Sequence, residues 1–225
     1  MERPFGGWRV DALRSHGWLL SDPWRPLAPT SARTVSTAPS ANAPFLEPFN
    51  RPERIGWHSD FSTYRARPRF TISYIERADP RGPLLGAWRV APTNAVLAKL
   101  DATATGRAAM RFFRSTLLPF AMAADDQARF FKVVVRRGKS PSQLGVRFYA
   151  RTMRIGAMVA WGTVPSELDA AIRSMEDAAD EVGTTIPAVT GAALVVDNWF
   201  CLHDRLEQTV EAGLPLRRAR LVFIP

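Results

Sequence analysis

The chain has 225 residues, 46% of them hydrophobic and 23% charged, enough for one globular domain with a sizeable core. Its single cysteine excludes an internal disulfide framework and a cysteine-based zinc site. The net charge of +9 raises the question of a nucleic-acid partner, but the arginines are scattered and no zinc-finger, RNP or helix-turn-helix pattern accompanies them. Composition therefore argues against a nucleic-acid-binding protein.

Hydropathy gives no sign of a membrane or export signal. The first 20 residues contain no apolar run long enough for a signal peptide, and no window approaches the roughly 20 apolar residues of a membrane span. We therefore expect a soluble, cytoplasmic protein without a membrane partner.

The predicted elements begin with a helix and a short apolar strand over residues 7–25. The stretch that follows, residues 25–43, is rich in Pro, Ser, Thr and Ala without periodicity, and it predicts a flexible loop or lid. Residues 69–77 alternate bulky and polar side chains, as a strand does. Residues 93–120 predict a helical insertion with Thr93 as its N-cap.

The carboxy-terminal half predicts more strands and one clear helix. Residues 128–137 and 144–152 are predicted strands separated by a turn. Apolar residues at helical spacing follow Ser166, a candidate cap, and stop at Gly183. A buried strand at 191–200 and a terminal strand at 219–225 complete the chain. The order of elements predicts one domain, residues 1–225, mainly β with flanking helices, as a sandwich or jelly-roll barrel.

Two histidines and a carboxylate form the candidate site. His58 and Asp60 are two residues apart, so on a strand their side chains point to one face, and His203 follows a buried strand. Two histidines and one carboxylate leave three metal positions open, the arrangement of ferrous oxygenases. The H-x-D spacing alone is also common on exposed strands, and a histidine after an apolar strand is often a hydrogen-bonded core residue. Spacing leaves both readings open.

The segment around His203 resembles a known family. VDNWFCLHDR, residues 196–205, is similar to the DN-x-x-x-LHGR signature of the TauD/TfdA (clavaminate synthase-like) family of Fe(II)/2-oxoglutarate-dependent oxygenases. Four further segments resemble the other family motifs, in family order and over nearly the whole chain: LRSHGWLLSD, GWHSDFSTY, LGVRFYART and GAALVVDN. The resemblance implies a double-stranded β-helix (jelly-roll) and a dioxygenase that uses iron, O2 and 2-oxoglutarate. Its substrate would be a small molecule of specialised metabolism, oxidised by hydroxylation, desaturation or cyclisation.

Carried over by residue, the resemblance implies a site in two parts. His58, Asp60 and His203 would be the iron ligands. Arg217 would bind the distal carboxylate of 2-oxoglutarate, since a guanidinium holds a carboxylate through two parallel hydrogen bonds. Arg218 or Arg220 would replace it if the strand is bulged. The competing interpretation of these arginines is a solvated charged edge.

Three positions depart from the family pattern. Leu85 stands where the family often has a threonine for the cosubstrate, Asp204 replaces the glycine of LHGR, and Leu221 replaces a frequent second arginine. Two alternatives therefore stay open: an iron-binding relative that does not use 2-oxoglutarate, and a basic, non-catalytic binding protein. Asp60 also implies oxygenation rather than halogenation, because a carboxylate ligand occupies the position where halogenating members bind chloride.

Overall fold

A computed structural model describes residues 32–36, 52–137, 143–209, 214 and 217–224, without the side chains of 32–36 and Arg220. The predicted helix and strand at 7–25 and most of the predicted loop at 25–43 lie outside the described residues. Within that loop, residues 32–36 form a strand, so this part of the prediction is corrected.

The described residues form eleven strands and four helices. The strands are β1 (Ala32–Ser36), β2 (Phe70–Arg77), β3 (Trp88–Pro92), β4 (Leu118–Phe120), β5 (Arg129–Phe131), β6 (Val134–Arg136), β7 (Leu144–Val146), β8 (Thr184–Ile186), β9 (Ala193–Asp197), β10 (Cys201–Arg205) and β11 (Arg218–Ile224). The helices are α1 (Thr93–Asp101), α2 (Ala104–Ser115), α3 (Ala150–Trp161) and α4 (Ser166–Val182). None of these helices is long and apolar enough to cross a membrane.

The strands form two main antiparallel sheets. The larger sheet has the order β1-β11-β2-β9 and the smaller has the order β10-β3-β8, while β4 pairs with β5 and β6 with β7. Residues directly opposite on neighbouring strands share a face of the sheet. Ser73 on β2 lies opposite both Leu194 on β9 and Leu221 on β11, and these three side chains line one cleft. Trp88 and His203 of the smaller sheet line the same cleft, which therefore lies between the two sheets.

The other face of the smaller sheet packs against the helices. Leu202 and Ala91, which alternate with the cleft-facing residues, belong to the large core formed with all four helices. Helix α3 approaches this core so closely that a Cβ on Gly156 would lie 2.5 Å from the carbonyl carbon and oxygen of Pro119. Glycine is therefore needed at position 156 for packing.

Several predicted elements differ in detail. The helix predicted from Ser166 is confirmed, although Ser166 is its first residue and Pro165 occupies the N-cap position without a side-chain cap. Thr93 is likewise the first residue of α1, with Pro92 at the N-cap position, and its buried hydroxyl makes no hydrogen bond within the described residues. The segment 93–120 is divided into two helices and a strand. Thr103 caps the second helix by accepting the Gly106 N–H at 3.0 Å.

The largest error concerns residues 144–152, predicted as one strand. The strand β7 ends at Val146, and helix α3 begins at Ala150. The predicted strand at 128–137 is also interrupted, into β5 and β6. Both errors have one cause. Runs of aromatic and β-branched residues have strand propensity, but tertiary packing interrupts the strands in these two segments.

Candidate active site

The three predicted ligands meet where two chain segments pair. His58 lies just outside the regular strands and forms an isolated bridge with His203 on β10. The main-chain N–H of each histidine donates to the carbonyl of the other at 2.9 Å. The chain then turns at Asp60, and Phe61 adopts a φ of 55°. A non-glycine residue in this left-handed region costs about 1 kcal/mol or more, so the surroundings hold the turn in place.

The ligand atoms of His58, Asp60 and His203 all lie within 4.8 Å of one another. Nε2 of His203 is 3.2 Å from Oδ2 of Asp60, and Nε2 of His58 is 3.7 Å from Oδ1. Two ligands bound at about 2.1 Å and at right angles on one ion would lie about 3 Å apart. Oδ2 of Asp60 is buried without a well-aligned hydrogen-bond donor in the described part of the chain. The cluster therefore has the spacing and the available oxygen that a cation would use.

The protonation of the cluster also suits a cation. Burial and the nearby His203 lower the pKa of His58 to about 4, so its ring is neutral at neutral pH, as a metal ligand must be. Burial acts to raise the pKa of Asp60, but the neighbouring His203 and His58 outweigh it and hold that pKa well below its usual range. Nδ1 of His58 is engaged with the carbonyl of Gly56 at 2.8 Å, which leaves Nε2 to face the cluster.

Asn198 fixes Asp60 through its main chain. The side-chain oxygen of Asn198 accepts the N–H of Asp60 at 2.7 Å, and its amide nitrogen donates to the carbonyls of Asp60 at 3.0 Å and Pro68 at 3.1 Å. Asn198 is completely buried. The sequence shows this residue only as part of the DN pair. Its role was missed because the contacts span 138 positions of sequence.

Arg217 lines the cleft that contains the three candidate ligands. It is 5% exposed and precedes β11. Burial, with the nearby charge of Arg205, lowers the pKa of Arg217 to about 10, which leaves it cationic at neutral pH. The aliphatic part of its side chain lies against Gly86, where a Cβ would be 2.5 Å from Cδ of Arg217.

The structure gives no support to the two alternative arginines, because Arg218 pairs with Glu76 and does not line the cleft, and the side chain of Arg220 is not described. Arg218 has a half-exposed side chain, and its Nε is 3.0 Å from Oε2 of Glu76. The β11–β2 register shifts at Arg218/Ala219, the kind of irregularity that left the choice open from sequence. The side chain of Arg220 lies outside the described residues.

The departures from the family pattern also have structural outcomes. Leu85, at the expected threonine position, does not line the cleft, and Gly86 is the residue beside Arg217. Leu221 does line the cleft. Ser73 lines it as well, and its hydroxyl accepts the indole N–H of Trp88 at 3.1 Å. This hydroxyl therefore retains its own proton for a ligand.

No family model matches the chain, and no curated protein matches it either. Solved structures do match. Asparagine oxygenase in complex with Fe(II), 3-hydroxyasparagine and succinate gives a TM-score of 0.68 at 17% identity, over 87% of this chain and 56% of that one. The non-haem iron oxygenase OrfP, in complex with iron and α-ketoglutaric acid (2-oxoglutarate), gives 0.60 at 14% identity over the same shares.

This likeness establishes the fold. The chain has the fold of non-haem iron oxygenases, and it spans a little over half the length of the two structures, 56% of each. Their ligands are iron with succinate in one and iron with α-ketoglutaric acid in the other.

Proposed function

We propose that this protein is a non-haem Fe(II)/2-oxoglutarate-dependent oxygenase of the TauD/TfdA-like type, with a jelly-roll barrel. It oxidises a small molecule by hydroxylation, desaturation or cyclisation. One observation carries the proposal: a single cleft contains a His-Asp-His cluster and the buried guanidinium of Arg217, with apolar walls.

The donor set suits ferrous iron. Two imidazoles and one carboxylate form a facial triad that leaves positions open for other ligands. In this assignment His58, Asp60 and His203 hold the ion, and Asn198 holds the Asp60 turn. When bound, iron and 2-oxoglutarate supply the oxidising chemistry, in which O2 is reduced and the cosubstrate is decarboxylated.

The cleft also suits an extended dicarboxylate. Arg217 takes the distal carboxylate through its planar guanidinium, and Leu194, Val196 and Leu221 flank the methylene groups. The hydroxyl of Ser73, oriented by Trp88, adds a donor on the larger sheet. This serine takes over the part that a threonine has in the family pattern.

The walls restrict the substrate. Leu221 lines the cleft where a second arginine is frequent in the family pattern, so this part of the wall carries no charge. The asparagine oxygenase structure holds 3-hydroxyasparagine, and a second OrfP structure, with a TM-score of 0.59 at 13% identity, holds 3-hydroxyarginine. We propose an amino-acid-derived or other small molecule as the substrate.

The proposal is tested by the conversion of 2-oxoglutarate to succinate, with and without Fe(II), in air. The wild-type protein should form succinate only with iron, slowly without substrate and faster with the correct one. His203→Ala should abolish the reaction. Cys201→Ala is a matched control on the same strand, because this half-buried thiol lies outside the cleft. Iron-independent turnover, or equal rates in the histidine variant, would refute the proposal.

A further inference from the structure

Asp204 occupies the position next to His203 on β10, and it borders the cleft together with Ile55 and Arg205. It is 1% exposed. Its Oδ1 accepts the N–H of Gly56 at 2.8 Å, and its Oδ2 accepts the Nε–H of Arg54. Each oxygen of this buried carboxylate therefore has a hydrogen-bond donor. The residue that departs from the family glycine is therefore tied to the segment that leads into His58.

The main chain of Gly56 links Asp204 to His58. Its carbonyl accepts the Nδ1–H of His58 at 2.8 Å, while its N–H donates to Asp204. Gly56 has a φ of +91°, a conformation that residues with a Cβ rarely adopt. This conformation lets one residue face the carboxylate with its N–H and the imidazole with its C=O.

We infer that Asp204 is a positioning residue for His58, acting through Gly56. The inference rests on the proposed metal centre, in which His58 must present Nε2 to the ion. A hydrogen bond to Nδ1 fixes the tautomer and the ring orientation of a metal-binding histidine, and outer partners of this kind are worth about 10–100-fold in metal affinity. The strand β10 thus provides one ligand, His203, and the adjacent residue, Asp204, that orients the other ligand.

The ion pair between Asp204 and Arg54 can be removed without removing the hydrogen bond between Asp204 and Gly56. Arg54 is partly exposed and also contacts Asp180 at 2.8 Å, so it keeps a partner when Asp204 is replaced. Arg54→Ala removes the ion pair and leaves the Gly56–Asp204 hydrogen bond. It is therefore the matched control for a purely structural role.

Two measurements test the inference in the full-length protein. The first is the tautomer of His58 without metal, from nitrogen-15 NMR, which is tractable because the chain has three histidines. The second is the affinity for Co(II), followed by its visible absorption. Asp204→Ala should release the Nδ1–H tautomer and weaken Co(II) binding about 10–100-fold. Asp204→Asn, which keeps an acceptor oxygen, should retain the tautomer with a smaller loss, and Arg54→Ala should resemble the wild type.

The inference would be overturned if Asp204→Ala changed neither quantity, or if Arg54→Ala reproduced its losses. If the alanine variant failed to fold, loss of the tautomer in a folded Asp204→Asn protein would equally contradict it. If wild-type protein bound no Co(II), the metal centre itself would be wrong, and the tautomer measurement alone would decide the role of Asp204.

Discussion

Removal of the Arg217 side chain should weaken 2-oxoglutarate binding far more than metal binding. Arg217 is 5% exposed, so solvent screens its charge little. Breaking a buried charge pair costs about 3–5 kcal/mol, which corresponds to at least about 100-fold in affinity. Arg205 lies near Arg217 and lines the same cleft, and its charge partly compensates. For Arg217→Ala we therefore expect the lower end of this range, a loss of about 3 kcal/mol in the free energy of 2-oxoglutarate binding.

Calorimetry of 2-oxoglutarate binding to anaerobic, Co(II)-loaded protein measures this loss. Arg218→Ala is the matched control, because Arg218 is the next residue and pairs with Glu76 on an exposed part of the sheet. Its affinity should equal that of the wild type. Normal binding by Arg217→Ala together with a loss in Arg218→Ala would show that the arginine register is wrong. Normal binding by both variants, and by Arg220→Ala, would refute the carboxylate site at this end of the cleft.

Four further outcomes follow from the structure. Gly86→Ala should weaken 2-oxoglutarate binding without removing a charge, because its Cβ would lie 2.5 Å from Cδ of Arg217; wild-type affinity in calorimetry would contradict the packing argument. Asn198→Ala should weaken Co(II) binding about 10–100-fold in absorption titrations, because the Asp60 main chain loses its two hydrogen bonds to this side chain. An unchanged affinity would show that the turn at Asp60 does not depend on Asn198. Gly156→Ala should lower the free energy of unfolding by about 1–3 kcal/mol in urea denaturation but leave Co(II) binding unchanged. Product formed in chloride-rich buffer should contain no chlorine by mass spectrometry, because Asp60 occupies the ligand position that chloride would need.

Local patterns in the sequence predicted the parts of the molecule that depend on near neighbours. Helix α4 follows from apolar residues at helical spacing, and all of the buried ones lie on one face. The H-x-D pair and His203 were recognisable as candidate ligands by residue type and order, and the structure brings all three together. The alternation of bulky and polar residues over 69–77 likewise predicted a strand, and the structure has β2 there, Phe70–Arg77.

The remainder depends on contacts between distant segments. Helix α3 was not predicted: its first three residues were included in the predicted strand 144–152, and the close approach of Gly156 to Pro119 is a contact that the sequence does not show. The residue beside Arg217 is Gly86 rather than Leu85, and only the turn before β3 determines that. The roles of Asn198 and Asp204 also rest on hydrogen bonds across 138 and 148 positions, which no local pattern reports.

The central claim is that iron and 2-oxoglutarate bind together in one cleft. Anaerobic titration of the protein with Fe(II), followed by addition of 2-oxoglutarate, tests it most directly through the visible metal-to-ligand charge-transfer band. We predict that the band appears only when both are present, and that His203→Ala does not form it. Iron binding that 2-oxoglutarate leaves spectroscopically unchanged would contradict the cosubstrate assignment, and a protein that binds no iron would contradict the metal centre.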